Sequence, residues 1–323
     1  MKNWSILSQL IYKEAEKLWF KVKKLVENKN LFTVTWNDKT YIFKNIECWL
    51  NTILWARLVN DKELTYTILS NDMDDVVPNS IYLSKDKNYD ISNIWINYPL
   101  VVKPVDQAHG DWVSVNITNA EELQTSMDFA FSFSDKIIIQ NFVQGYDHRI
   151  LVVGDNISAV AKRIPTFVIW DWKSTIEELI NKENKNPLRG KQDHDFPMSL
   201  IKIDDELKRT ISSKWETLSS ILKKWEKLFV RRNANLSTWW LSIDCTDIIH
   251  KENKKIAISA ARILWLSVAW VDIVCKDISK SIAQNWWFII EVNATPWLRM
   301  HHYPSEWKSR NVALDILKLR FWL

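Results

Sequence analysis

Apolar and charged positions alternate at helical spacing through residues 5–30. Two runs of period-two alternation, LFTVTW and KTYIFK, then flank a turn at 36–38 and predict a hairpin. The spacing predicts a helix over about 50–70, and Pro78 and Pro99 bracket a short strand and a polar connection. PLVVKPV (99–105) is apolar enough for a buried strand. The loop DQAHGDWVS (106–114) follows, then a helix near 119–131 with Thr118 or Asn119 as its cap. KIIIQNFV (136–143) and HRILVVGD (148–155) predict strands on either side of a turn through Gly145, and ISAVAKRI (157–164) pairs with the second. Residues 181–197 form a polar, punctuated loop, with helices near 204–224 and 251–264. VDIVC (271–275) and WFIIEVN (287–293) are the last strands, before a closing helix near 310–320. Strands and helices mix without regular βαβ alternation, so the predicted fold class is α+β, and no internal repeat is present.

Composition narrows the function classes. The 323 residues give room for two or three lobes, and 47% hydrophobic with 25% charged residues is the balance of a soluble globular protein. A net charge of +4 is too mild to argue for nucleic acid, and KVKK (21–24) reads as a solvated helix face. Cys48, Cys245 and Cys275 are scattered with no CxxC, which fits a reduced compartment and not a structural zinc site. Acidic residues inside the first twenty positions argue against a secretory signal, and no apolar run approaches the roughly 18 residues of a membrane span. The expected location is cytoplasmic, with no membrane partner.

One feature of the composition is abnormal. Tryptophan occurs 20 times and glycine only 4 times; together they make up about 7% of the chain, the ordinary glycine share. Trp239-Trp240 and Trp286-Trp287 are tandem pairs at expected turns, and Trp170-Asp171-Trp172, Trp36-Asn37-Asp38 and Pro296-Trp297 also fall where a tight turn is expected. Turns with positive φ select glycine and exclude a bulky aromatic. The expectation is that many of these tryptophans are glycines in the living organism, through a code that reads UGA as glycine; Trp4, with no turn around it, is an exception. The opposing reading is a tryptophan-rich protein whose indoles fill a core or an interface.

Three constellations carry chemistry. Asp272 lies on one predicted strand, and Glu291 and Asn293, two apart on the next, share a face. Two anionic oxygens and an amide oxygen suit Mg²⁺ held jointly with nucleotide phosphates; an exposed polar strand end is the plainer alternative. Lys103, on a buried strand before a small-residue loop, can neutralise phosphate while backbone N–H groups wrap it, although a strand-end lysine also simply snorkels to water. In QNFVQGYDHRI (140–150), backbone groups from Asn141 to Val143 suit an adenine edge and Asp147 suits ribose hydroxyls, or the segment is an ordinary strand, turn and strand.

Together these resemble the ATP-grasp superfamily over most of the chain, in the order Asp61-Lys62, VVKP with Lys103, the flap, the hinge, and D…EVN. RRNANLSTWWLSIDCTD (231–247), AARILWLSVAWVDIVCKD (260–277) and EVNATPWLRMHHYP (291–304) are similar to blocks of the cyanophycin synthetase family. The departures are mostly Trp where that family has Gly: Trp112, Trp170, Trp172, Trp239, Trp240, Trp265, Trp270 and Trp297. The resemblance implies an ATP-grasp fold, with a lead segment (1–60), a lid (about 85–145) and a C-terminal lobe (about 146–323) gripping ATP. It implies ATP contacts from Lys62, Lys103, His109, Gly110, Ser114, Gln140, Asn141, Phe142, Val143 and Asp147. Two Mg²⁺ ions, with Mn²⁺ as a substitute, would sit on Asp272, Glu291 and Asn293. Arg149, Arg232 and Arg299 are implied as catalytic, and Arg163, Asn235, Ser237, Thr238 and His301 as substrate contacts; packing is the alternative for the adjacent His301 and His302. The implied reaction joins a carboxylate to an amine through an acyl-phosphate, adding an amino acid to an amino-acid or peptide carboxylate, in a homodimer or tetramer. A glutathione-synthetase-like ligase is the enzymatic alternative. A non-catalytic nucleotide-binding module is the alternative if every tryptophan is real. The length suggests that a whole aspartate–arginine polymer is not made by this chain unaided.

Overall fold

The computed structural model describes residues 4–26, 28–45, 50–87, 89–91, 94–105, 112–190, 198–231 and 241–323, with backbone alone at 206. The chain forms two compact units. One comprises Met1–Cys48, Ala161–Asp244 and Trp297–Leu323, and the other Trp49–Val160 and Cys245–Pro296. Within both, the strand pairings are antiparallel apart from the two-residue pair Arg189–Gly190 with Met198–Ser199 and one isolated bridge, among the described residues. This bears out the α+β expectation.

In the first unit, Ser5 caps the helix Ile6–Lys17 by accepting from Ser8 N. The helical pattern expected over 5–30 stops there, because the chain reverses at Trp19 and Lys21–Val26 pairs as a strand with Leu31–Trp36. The hairpin of Leu31–Trp36 and Lys39–Lys44 turns through Asn37 (φ 45°) and Asp38 (φ 62°), so these two, and not Trp36, take the left-handed positions of the turn. A second core gathers Val168, Ile176, Ile180, Leu207, Ile211, Leu228 and Val230. The helix expected over 204–224 is only Asp205–Ser212, ended by a reversal at Trp215. The loop expected at 181–197 begins inside a helix, Ile176–Glu183, which a Thr175/Glu178 capping box opens.

The second unit holds two sheets. The first has the strand order Ser80–Ser84, Lys136–Asn141, Leu100–Pro104, Ser114–Ile117, and buries Leu100, Val102, Ile137 and Ile139 with Leu123 and Met127 of the helix Ala120–Phe131. In the second, the strand Val268–Cys275, buried at seven of its eight positions, pairs with Tyr146–Val153 on one side and Phe288–Asn293 on the other. Strand Asn156–Ile164 adjoins Tyr146–Val153 as expected and carries the chain into the other unit. The strands around Gly145 are not a hairpin, since Lys136–Asn141 and Tyr146–Val153 lie in different sheets. Gly145 is needed for close approach, because a Cβ there would lie 2.5 Å from the carbonyl carbon of Cys275. The helix expected over 50–70 is two helices, Ile53–Leu58 and Lys62–Met73, because Asp61 turns its side chain to cap Leu64 N and restarts the helix.

Thirteen non-glycine residues among those described have positive φ, and eight are tryptophans: Trp19, Trp112, Trp172, Trp215, Trp225, Trp265, Trp307 and Trp322. Four of these end helices in the same way. Past Trp19, Trp215, Trp265 and Trp322, the next N–H (Phe20, Glu216, Leu266, Leu323) reaches back five residues to Ala15, Ile211, Ala261 and Lys318 O respectively. This is the Schellman closure, whose left-handed residue is usually glycine. Their indoles are mostly in water, with Trp19 90% and Trp215 96% exposed. Trp4 is different: it is buried against Tyr12 and Phe32.

Candidate functional site

The second unit assembles the predicted phosphate and metal residues. Lys62 opens its helix, and one turn later Tyr66 is on the same face. Lys62 Nζ donates to Val105 O at 3.2 Å, just beyond the strand that carries Lys103. Lys103 Nζ is 3.4 Å from Tyr66 Oη and 5.6 Å from the centre of its ring. Burial pulls the Lys103 ammonium down to about 7; Lys62 acts in the same direction and Glu291 opposes both. A lysine poised near neutrality, with only one neighbouring carboxylate resolved as opposing that shift, is suited to an arriving polyanion. Burial, reinforced by Glu291, pushes the Tyr66 phenol well above its ordinary range, so it remains a hydroxyl.

Across the second sheet, Asp272 stands directly opposite Glu291 on one side and Arg149 on the other. The expected acidic hairpin is therefore in register, with Asn293 opposite Trp270 on the same face. Arg149 Nε donates to Asp272 Oδ1 at 2.7 Å and Nη2 to Oδ2, a bidentate pair in which both side chains are almost wholly buried. Arg149 Nη1 meets no hydrogen-bond partner, and the guanidinium lies 3.9 Å from the centre of the Trp270 ring. Two carboxylates and an amide oxygen are the hard donors that suit a divalent cation, and Asp272, Glu291 and Asn293 supply that chemistry. No group of three His, Cys, Asp or Glu residues suits a metal among the described residues.

At the predicted adenine edge, Gln140 is buried with Nε2 on Ser80 Oγ at 2.7 Å. Phe142 N already donates to Pro99 O at 2.9 Å, so Phe142 does not offer a free N–H there. Asn141 Oδ1 is buried without a donor. Asp147 lies two residues before Arg149, on the same face of the strand. Ser114 begins a strand opposite Val102. His109 and Gly110 of the flap, and Arg232, Asn235, Ser237 and Thr238, lie outside the described residues.

The remaining predicted residues are in the first unit. Arg163 is buried opposite Ser242, and Arg299 is buried with its guanidinium 5.3 Å from the Trp297 ring. His301 is buried, while His302 accepts from Ala313 N through Nε2 and burial pulls it down to about 4.

Two residues escaped the sequence reading. Asn51 Oδ1 accepts from Ser267 N (2.8 Å) and Val268 N (3.1 Å), and its Nδ2 donates to Val268 O (2.6 Å) and Ala294 O (2.7 Å). It therefore ties both ends of the acidic hairpin with a single side chain. Tyr66 donates to Ile290 O, immediately before Glu291. Only the spacing Lys62-x₃-Tyr66 hinted at it.

Comparison with known proteins bears on family and fold. Residues 68–193 match the family described as D-ala D-ala ligase C-terminus. The chain is 39% identical over 273 residues to a cyanophycin synthetase of Crocosphaera subtropica, covering 83% of this chain and 31% of that protein. It is 30% identical over 330 residues to the glutathione biosynthesis bifunctional protein GshAB of Clostridium perfringens, covering 99% of this chain and 41% of that one. The chain thus spans between about a third and two fifths of these relatives. In fold it is similar to a bifunctional glutathione synthetase from Pasteurella multocida, with TM-score 0.76, 23% identity, and coverage of 99% of this chain and 43% of that one. By sequence and fold, the chain belongs to the ATP-grasp superfamily.

Proposed function

We propose that this protein is an ATP-dependent ligase that joins a carboxylate to an amine. The observation that carries the reading is the placement, within one unit, of the near-neutral Lys103 beside Lys62 and close to the opposed pair Asp272 and Glu291. Lys62 and Lys103 hold the ATP phosphates, and the hinge from Gln140 to Val143 with Asp147 holds the nucleoside. Asp272, Glu291 and Asn293 hold Mg²⁺, which supplies charge neutralisation on the phosphate oxygens. Arg149 fixes the Asp272 carboxylate rather than meeting substrate with its whole fork. The substrate carboxylate attacks the γ-phosphorus and ADP leaves; the amine then attacks the acyl carbon and phosphate leaves. Catalysis of this kind is positioning and electrostatics, supplied here by groups already held by the fold. An amino acid added to an amino-acid or peptide carboxylate is the substrate class, supported by the cyanophycin synthetase likeness. A glutathione-synthetase-like reaction is the second reading, supported by the GshAB likeness over nearly the whole chain. ADP release with Mg²⁺ and separate pools of amino acids, short peptides and γ-glutamyl peptides tests both. Asp272→Asn and Glu291→Gln should abolish it, and turnover surviving in either would overturn the metal assignment. A second ion and a homo-oligomer belong to the same reading and are read by metal titration and sedimentation.

The left-handed tryptophans bear on which polypeptide performs this chemistry. The reading is that glycine occupies these positions in the native protein, through UGA decoded as glycine. A side chain in the left-handed region costs about 1–2 kcal/mol, so eight cost about 8–16 kcal/mol, comparable with the whole stability of a domain, about 5–15 kcal/mol. Buried Trp270 and Trp287 add support, since each has an indole N–H with no acceptor. Trp112, at φ 71° and with its ring centre 3.6 Å from that of Phe133, lies in the predicted phosphate flap, where glycine would restore backbone access. Codons decide the matter: UGG at Trp19, Trp112, Trp215 and Trp265 would end the idea. Comparing ADP release by the chain as written with that of a version carrying glycine at the eight positions gives the functional reading. Activity confined to the glycine version would support both proposals.

A further inference from the structure

The acidic hairpin is not regular. Asp272 faces Glu291, but Ile273 faces Ile289, so Ile290 is an extra residue in a bulge next to Glu291. The carbonyl of that extra residue accepts from Tyr66 Oη. Tyr66 Oη in turn accepts from Lys103 Nζ at 3.4 Å. Tyr66 therefore connects three elements: its own helix, the Lys103 strand and the Glu291 strand. Its ring is buried, 3% exposed, so the hydroxyl is held by packing and not by the two bonds alone.

We propose that Tyr66 is a positioning residue for ATP binding, its hydroxyl fixing the Lys103 ammonium relative to the bulge that presents Glu291. The proposal rests on the ligase reading and adds a residue to it. The hydroxyl suits this task because it does both jobs at once, accepting from the ammonium and donating to a carbonyl. A lysine on a four-carbon stem beside another lysine would otherwise swing away from it; the phenol restrains it without neutralising it, leaving its charge available to phosphate. The bulge gains a fixed anchor at the point where a strand slips one residue and where a shift would re-aim Glu291.

The test is a double-mutant cycle on the full chain, with MgATP as probe, measured by calorimetric binding and by steady-state kinetics. Tyr66→Phe keeps the ring and removes both hydrogen bonds. It should raise Kd and KM for MgATP about tenfold, with a much smaller fall in kcat. Lys103→Met should by itself reduce MgATP affinity severely, and Tyr66→Phe added to it should have no further effect, because the group it positions is gone. Thermal unfolding without ATP provides the folding control, and Tyr66→Phe should shift the midpoint too little to account for the binding loss. Unchanged affinity in Tyr66→Phe, or full additivity with Lys103→Met, would overturn the positioning role while leaving the ligase reading intact. Unchanged affinity in Lys103→Met would instead remove the ATP site from which both are argued.

Discussion

At the scale of single residues, conformation separates side chains that belong from those that do not. Trp19 and Trp215 take left-handed backbone with their rings in water, whereas Trp4 packs its ring on Phe32. Trp19→Gly and Trp215→Gly should each stabilise the protein by about 1 kcal/mol, additively, because each removes left-handed strain and loses little packing. Trp4→Gly should destabilise it by about 3–5 kcal/mol, as the loss of a buried aromatic does. Urea midpoints read all three, and destabilisation by either of the first two would count against glycine at those sites. Arg149 and Asp272 give the electrostatic counterpart. Arg149→Met should cost about 3–5 kcal/mol, since it leaves a buried carboxylate uncompensated, and Arg149→Met with Asp272→Leu should recover most of it. If the double variant is as unstable as the single, the pair is not the cause. Composition and turn context flagged the tryptophans in the sequence; the ion pair was not legible there, because its members are 123 positions apart and either one reads alone as an ordinary polar residue.

At the scale of elements, the acidic hairpin is pinned from outside. Four hydrogen bonds from Asn51 hold the backbone at both its ends, so Asn51→Ala should cost about 1–3 kcal/mol through unsatisfied backbone groups. Amide exchange should quicken at Ser267 and Val268 while strand Lys136–Asn141 keeps its protection. Equal acceleration in both would indicate a global loss of stability. Period-two alternation was enough to set Glu291 and Asn293 on one face, because side-chain direction along a strand is fixed by geometry, and the pairing then brought Asp272 opposite Glu291. The same pattern could not reveal the bulge, nor that Lys136–Asn141 and Tyr146–Val153 would join different sheets, since neither has a local cost that a sequence window records. The helices over 5–30 and 204–224 were overdrawn for a related reason. Their ends are set by left-handed residues, and the usual glycine signal is replaced by Trp19 and Trp215.

At the scale of the molecule, folding and ligand binding place opposite demands on Lys103. Its ammonium titrates at about 7 when folded, below the roughly 10.4 of an unfolded lysine, so between these values the unfolded chain binds more protons. The contribution of this group to stability therefore rises from about pH 7 toward pH 10. Phosphate binding needs the charged form, so MgATP affinity should weaken over the same range, by up to about tenfold per unit well above pH 7. Proton uptake on binding should be seen at pH 8. A flat affinity between pH 7 and 9, or the same slope in Lys103→Met, would show that another group governs binding.

By itself, the sequence determined the α+β class and the shared face of Glu291 and Asn293, because hydrophobic period and side-chain alternation are local properties, and its blocks carried the resemblance to the superfamily; that Asp272 stands opposite Glu291 was set by strand register. It also flagged tryptophan at positions where glycine is expected, because a left-handed turn restricts residue type wherever it occurs. Only the tertiary structure decided that Arg149 holds Asp272, that Asn51 clamps the hairpin and that Tyr66 joins Lys103 to the bulge. These are contacts between segments up to 243 residues apart, made only when burial brings them together. Burial is also what turns Lys103 from a solvated strand-end lysine into a near-neutral group set for an anion.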